Sequence, residues 1–122
     1  MQKILLFISF LCLSACSKDA VSNTSNQLYE GSYEGIFSGQ DRGTLSFKIE
    51  TDGALVGEVY SHVLHKHTKL LGKCLADGSF TMKMEGTKRE YIGSILNGAF
   101  RGKWMNKSTD FIGEFSGKKV VQ

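Results

Sequence analysis

His65 and His67 stand one residue apart and form the densest pair of metal-ligand side chains in this 122-residue chain. On a strand, a spacing of two places both imidazoles on one face. Such a pair holds Zn²⁺ or Cu²⁺ once one or two further ligands converge on it. Cys74 is the nearest candidate and lies too far along the chain. The alternative is a pair of exposed loop histidines, and no metal or other cofactor is assigned. Cys74 falls in phase with Leu70 and Gly72 and reads as a small core residue. Glu30 and Glu34 share a face but have no evident partner, so a paired-carboxylate mechanism lacks support. Cys-x-x-Cys, His-Glu-x-x-His, Gly-x-Ser-x-Gly and the phosphate loop do not occur in the sequence. No enzymatic activity is expected.

Basic side chains form the other conspicuous set. Arg42, His62, His65, Lys66, His67, Lys88, Arg89 and Lys107 all fall between apolar stretches, against Asp41 and Glu85. A shared basic surface would dock an acidic macromolecule. Solvated loops, which are commonly charged, are the plainer reading. The formal net charge is +3, and it falls by one if Lys3 is removed. That is too mild to imply nucleic acid.

The elements that would gather these residues follow from alternation. Strands are predicted at 29–38, 43–51, 54–61, 68–76, 79–85, 89–96, 99–105 and 109–118. Asp52-Gly53, Asp77-Gly78 and Asn97-Gly98 join three pairs and favour two-residue type I′ turns. The chain has 14 Gly and no Pro. Large-x-Gly-x-large triplets recur, as in Tyr33-x-Gly35-x-Phe37 and Phe100-x-Gly102-x-Trp104. Spacing of two keeps each triplet on one face, where a neighbouring ring can lie over the bare glycine. The inner face so defined takes Tyr33, Phe37, Phe47, Phe80, Tyr91, Phe100, Trp104, Phe111 and Phe115. Residues 52–61 match 97–106, and 68–74 match 109–115, so a three-strand unit occurs twice. Duplication and shared sterics both account for this.

The fold class is therefore all-β: an antiparallel up-and-down meander of about eight strands. A small closed barrel is favoured, with a two-sheet sandwich as the alternative. In a barrel, the three Gly-containing turns fall at one end and the basic connections at the other. Nine rings argue for a filled interior, although an internal calyx for a small ligand stays open. Val56, Tyr60, Leu71 and Leu75 point outward on adjacent strands and offer a second docking strip.

The first residues carry an address. Lys3 precedes an apolar run, Ile4 to Leu13, which ends in small residues. This is the layout of a secretory signal. The run is too short to span a bilayer, which needs about 20 apolar residues. Leu13-Ser14-Ala15-Cys16 resembles the lipobox of bacterial lipoproteins. The resemblance implies removal of 1–15 and lipidation of Cys16 through a diacylglycerol thioether and an acylated amine. It places the protein in the bacterial cell envelope, anchored to the membrane by lipid. In the enteric-type sorting pattern, Ser17 after the cysteine favours the outer membrane, facing the periplasm. Residues 16–28 then form the lipidated cysteine and a flexible tether, and 29–122 the barrel domain. Cys12 leaves with the signal and Cys16 is acylated, so Cys74 is the one free thiol and no intrachain disulfide forms.

Thr51 to Ser61, TDGALVGEVYS, resembles a hairpin of the avidin family, itself an eight-stranded barrel. Gly35 to Gly39, GIFSG, is similar to that family's first strand. However, Gly39 stands where a ligand-binding Asn is expected, and Phe37 replaces the usual Trp. The resemblance implies the fold and not biotin binding. The expected function is a non-enzymatic binding module for a macromolecular partner, of inhibitor or immunity type. A small-ligand barrel and a metal-binding lipoprotein are the alternatives.

Overall fold

The computed structural model describes residues 28–120. The signal segment, Cys16 and most of the tether lie outside them. Eight strands form in chain order: β1 (Gly31–Gly39), β2 (Gly43–Ile49), β3 (Ala54–Ser61), β4 (Lys66–Cys74), β5 (Ser79–Met84), β6 (Arg89–Leu96), β7 (Ala99–Asn106) and β8 (Phe111–Lys119). Each pairs antiparallel with its sequence neighbour, and β1 pairs with β8 to close the barrel. The seam sets Phe37 opposite Phe115 and Gly35 opposite Gly117. Closure rules out the sandwich and leaves no open sheet edge among the described residues.

Period-two alternation drives this arrangement. In β2, Leu45, Phe47 and Ile49 are buried, while Thr44, Ser46 and Lys48 are exposed. The buried set includes the rings of Tyr33, Phe37, Phe47, Phe80, Tyr91, Phe100, Trp104 and Phe115. Phe111, expected among them, is only half-buried and packs against the core from the rim. Rings from non-neighbouring strands touch across the axis. Phe47 and Phe100 have centroids 5.0 Å apart, Phe47 and Phe80 5.5 Å, and Phe37 and Trp104 6.0 Å. The interior is filled by aromatic contacts, each such pair contributing about 0.5–1.5 kcal/mol beyond area burial. The glycines make this possible. A Cβ at Gly35 would lie 2.7 Å from the Phe100 ring, and one at Gly113 2.7 Å from Trp104 Cε2.

Some boundaries differ from the sequence reading. β1 starts at Gly31 because Tyr29 sits in a turn, where its carbonyl accepts the Tyr33 hydroxyl at 2.8 Å. β4 starts earlier, at Lys66, and ends at Cys74. β8 starts at Phe111, after Asp110 adopts φ 62°. Two turns also differ. Asn97 and Gly98 have φ 54° and 78°, as a type I′ turn requires. At the other two turns only Gly53 and Gly78 have positive φ. There the glycine N–H closes a four-residue turn, on Glu50 O at 2.9 Å and on Leu75 O at 3.0 Å. These are wider turns ending in a left-handed glycine. The Asp carboxylates brace them: Asp52 accepts the Ala54 N–H at 3.0 Å, and Asp77 the Ser79 N–H at 3.0 Å. Asn enters the left-handed region more readily than most residues, which suits the tight turn at Asn97.

Candidate docking site at the long-loop end

Strand direction sorts the connections into two ends. The three glycine turns and the entry to β1 share one end. The other end holds four loops: 40–42, 62–65, 85–88 and 107–110. Exposed charge is mostly basic at the loop end and mixed at the other. Arg42, His62, His65, Lys66, Lys88 and Lys107 are all exposed at the loop end, alongside exposed Glu85 and Asp110. At the opposite end the turns and the entry to β1 expose Glu30, Asp52 and Asp77, offset by Lys73, Lys118 and Lys119 at the adjoining strand ends.

The sequence reading assigns Arg89 to the basic surface, and the structure corrects this. Arg89 is 3% exposed. As the first residue of β6 it is in phase with Tyr91 and points into the barrel. Its Nη1 donates to Asp41 Oδ2 at 2.9 Å, and its guanidinium carbon lies 4.4 Å from the Trp104 ring centroid. Asp41 is 2% exposed, and its Oδ1 accepts the Ser61 hydroxyl at 2.8 Å and the Arg42 N–H at 2.7 Å. The Tyr91 hydroxyl sits 3.4 Å from Nη1, while Arg89 Nε has no partner among the described residues. A buried ion pair thus plugs this mouth of the barrel. Burial raises the Tyr91 hydroxyl above its ordinary range, against the opposing pull of Arg89. Asp41 and Ser61 do not stand out as site residues in the sequence, yet phase marks both: Asp41 with Gly43 and Leu45, Ser61 with Val59.

The histidine pair does not share a face. His65 adopts φ 54° in the loop before β4, and His67 lies within the strand. His67 packs on Tyr60 with centroids 4.6 Å apart, and its Nδ1 is 3.6 Å from Glu58. His62 meets the same Tyr60 ring at 5.1 Å. No group of three His, Cys, Asp or Glu able to hold a metal occurs among the described residues.

Lys107 and Lys83 both approach Glu90, at 3.8 Å each. Together with Thr87 and Lys88 they line a shallow notch beside the β5–β6 loop. The apolar strip is divided. Val56 and Leu71 pair directly, but the Glu58–Lys69 pair separates them from Tyr60, and Leu75 lies beyond β4. Val63 and Leu64, which carry no signal in the sequence reading, are 49% and 58% exposed at the tip of the β3–β4 loop.

Cys74 is buried, as its phase implied, and burial with nearby Asp77 pushes its thiol up to about 11. It is no nucleophile at neutral pH. No protein-family model matches this chain, and no curated protein matches it in sequence. The lipobox and avidin resemblances rest on the quoted residues alone.

Proposed function

We propose that this protein is a lipid-anchored envelope lipoprotein whose barrel acts as a non-enzymatic binding module. An acidic macromolecular partner docks on the long-loop end through Arg42, His65, Lys66, His67, Lys88 and Lys107. The observation that carries this reading is the uneven charge along the barrel, with a mostly basic exposed set at one end and turn carboxylates offset by Lys73, Lys118 and Lys119 at the other. Such unevenness steers an acidic partner toward one end in preference to the other. The aromatic contacts across the axis favour an external site over a calyx for a small ligand.

Anchoring rests on Leu13-Ser14-Ala15-Cys16. Each buried CH₂ contributes about 0.8 kcal/mol, and more than one chain gives stable attachment. Cys16→Ala is expected to abolish fatty-acid labelling in cells and leave the signal segment uncleaved. A variant that still labels and still partitions into detergent overturns the lipoprotein assignment. The binding assignment is tested by immobilising the full-length protein and its Arg42→Ser, Lys66→Ser, Lys88→Ser, Lys107→Ser variant in solubilised envelope. A partner retained equally by both does not dock on this end.

A further inference from the structure

Among the four loops at the basic end, the β3–β4 loop is built differently. Its tip consists of two aliphatic residues, Val63 and Leu64, both about half exposed. Polar contacts running out of the core hold it. The Trp104 ring supports Arg89, Arg89 binds Asp41 at 2.9 Å, and Ser61 Oγ donates to Asp41 at 2.8 Å. The same Ser61 oxygen accepts the Leu64 N–H at 3.0 Å, while the His62 N–H donates to Arg42 O at 2.8 Å. A buried charge network thus orients an exposed apolar tip. Its exposed chain neighbours are His62, His65 and Lys66, and exposed Arg42 lies alongside through the bond from His62.

An apolar tip held by hydrogen bonds inside a polar rim has the core-and-rim layout of a protein interface. Pre-ordering removes much of the entropy that a flexible loop loses on binding. We propose that Val63 and Leu64 are the anchor of the docking site, seated in an apolar pocket rimmed by carboxylates on a protein partner. This deepens the reading of the basic end given above and rests on it. Charge complementarity specifies the rim, because the cations Arg42 and Lys66 beside the tip call for carboxylates around the pocket. A pocket also suits the shape better than a lipid surface does. A membrane plane meets all four loop tips together, and the other three carry Gln40, Thr87 and Ser108. A pocket takes one tip alone.

Photo-crosslinking of the full-length protein in bacterial cells tests this. Benzoylphenylalanine replaces Val63, Leu64, Lys88 or Lys107 in turn, with exposed Ser94 on the barrel wall as control. The expected result is a discrete protein adduct from positions 63 and 64 that is absent from 94. The crosslinked peptide should contain Asp or Glu. Arg42→Ser with Lys66→Ser should weaken the adduct severalfold. Ser61→Ala should do so too while retaining the near-ultraviolet signature of Trp104, because it loosens the tip without removing a contact side chain. Adducts from 88 and 107 but not from 63 or 64 overturn the anchor and leave the basic docking surface standing. No adduct from any of the four overturns both. Adducts to lipid, or adducts insensitive to the two charge replacements, also overturn the proposal.

Discussion

Arg89 shows how one side chain can look like surface in a sequence and be interior in the fold. Lys88-Arg89 reads as a basic loop, yet Arg89 opens β6 in phase with Tyr91 and meets Asp41 inside the barrel. The phase was legible; its force was not, because burying a charge is costly unless a partner is supplied from elsewhere. Asp41 is 48 residues away in sequence. Removing one member of a buried pair costs about 3–5 kcal/mol. Arg89→Met is therefore expected to lower the urea midpoint markedly, and adding Asp41→Leu to recover part of the loss. Trp104 fluorescence reads both transitions. Cys74 and Tyr33 give a pH prediction. Burial raises Cys74 from 9.0 to about 11 and Tyr33 from 10.0 to about 12, with smaller contributions from neighbouring charges. Both groups hold their protons more tightly folded than unfolded. Their contribution is whole below pH 9 and is lost as pH rises through about 11 and 12. Unfolding midpoints should accordingly fall steadily above pH 9. A flat profile to pH 11 would place Cys74 in water.

At the scale of elements, alternation carried most of the information. The strands lie within two residues of their predicted bounds, since one face of each had to be largely apolar. Turn geometry was less legible. Asp-Gly and Asn-Gly look alike in sequence, but the Asp carboxylates bond the chain ahead and widen two of the three turns. Two glycines of different kinds separate the causes at work here. Gly98 has φ 78°, and a Cβ added there would meet nothing within 4 Å. Gly98→Ala should cost about 1–2 kcal/mol through backbone conformation alone. At Gly102 a Cβ would lie 2.6 Å from Gly93 Cα and 2.8 Å from the Ile92 carbonyl carbon. Gly102→Val is thus obstructed by the β6 backbone rather than by rings, and overpacking typically costs about 1–3 kcal/mol. Denaturant melts of the two variants check both values. An unchanged midpoint for Gly102→Val contradicts its inward face.

For the whole molecule, the sequence foretold closure and polarity. Matching aromatic-glycine faces at the first and last strands implied the seam, and glycine turns at one end left the basic loops at the other. The candidate docking site was only half legible. Arg42, Lys66, Lys88 and Lys107 were visible as charges, whereas the Val63-Leu64 knob was invisible because two aliphatic residues in a loop resemble a buried strand end. Replacing those four cations by Ser should slow association with an acidic partner and flatten its salt dependence. Stability should move by about 0.5 kcal/mol or less, as is usual for exposed positions. Stopped-flow association at two salt concentrations measures the first effect. An on-rate equal to that of the parent moves the site away from the loop end.

The β1–β8 seam has a consequence for how the chain reaches its fold. Every other pairing links strands adjacent in sequence through a short connection. Those hairpins zip locally and fast, while the seam waits for the last strand. Until Phe111–Lys119 arrives, β1 and β7 present open edges to other chains. Chain order imposes this delay, since β8 is the last of the described strands to emerge, from the ribosome or across a membrane. Truncation before Phe111 creates that intermediate permanently, and such fragments should self-associate where the whole chain stays dispersed.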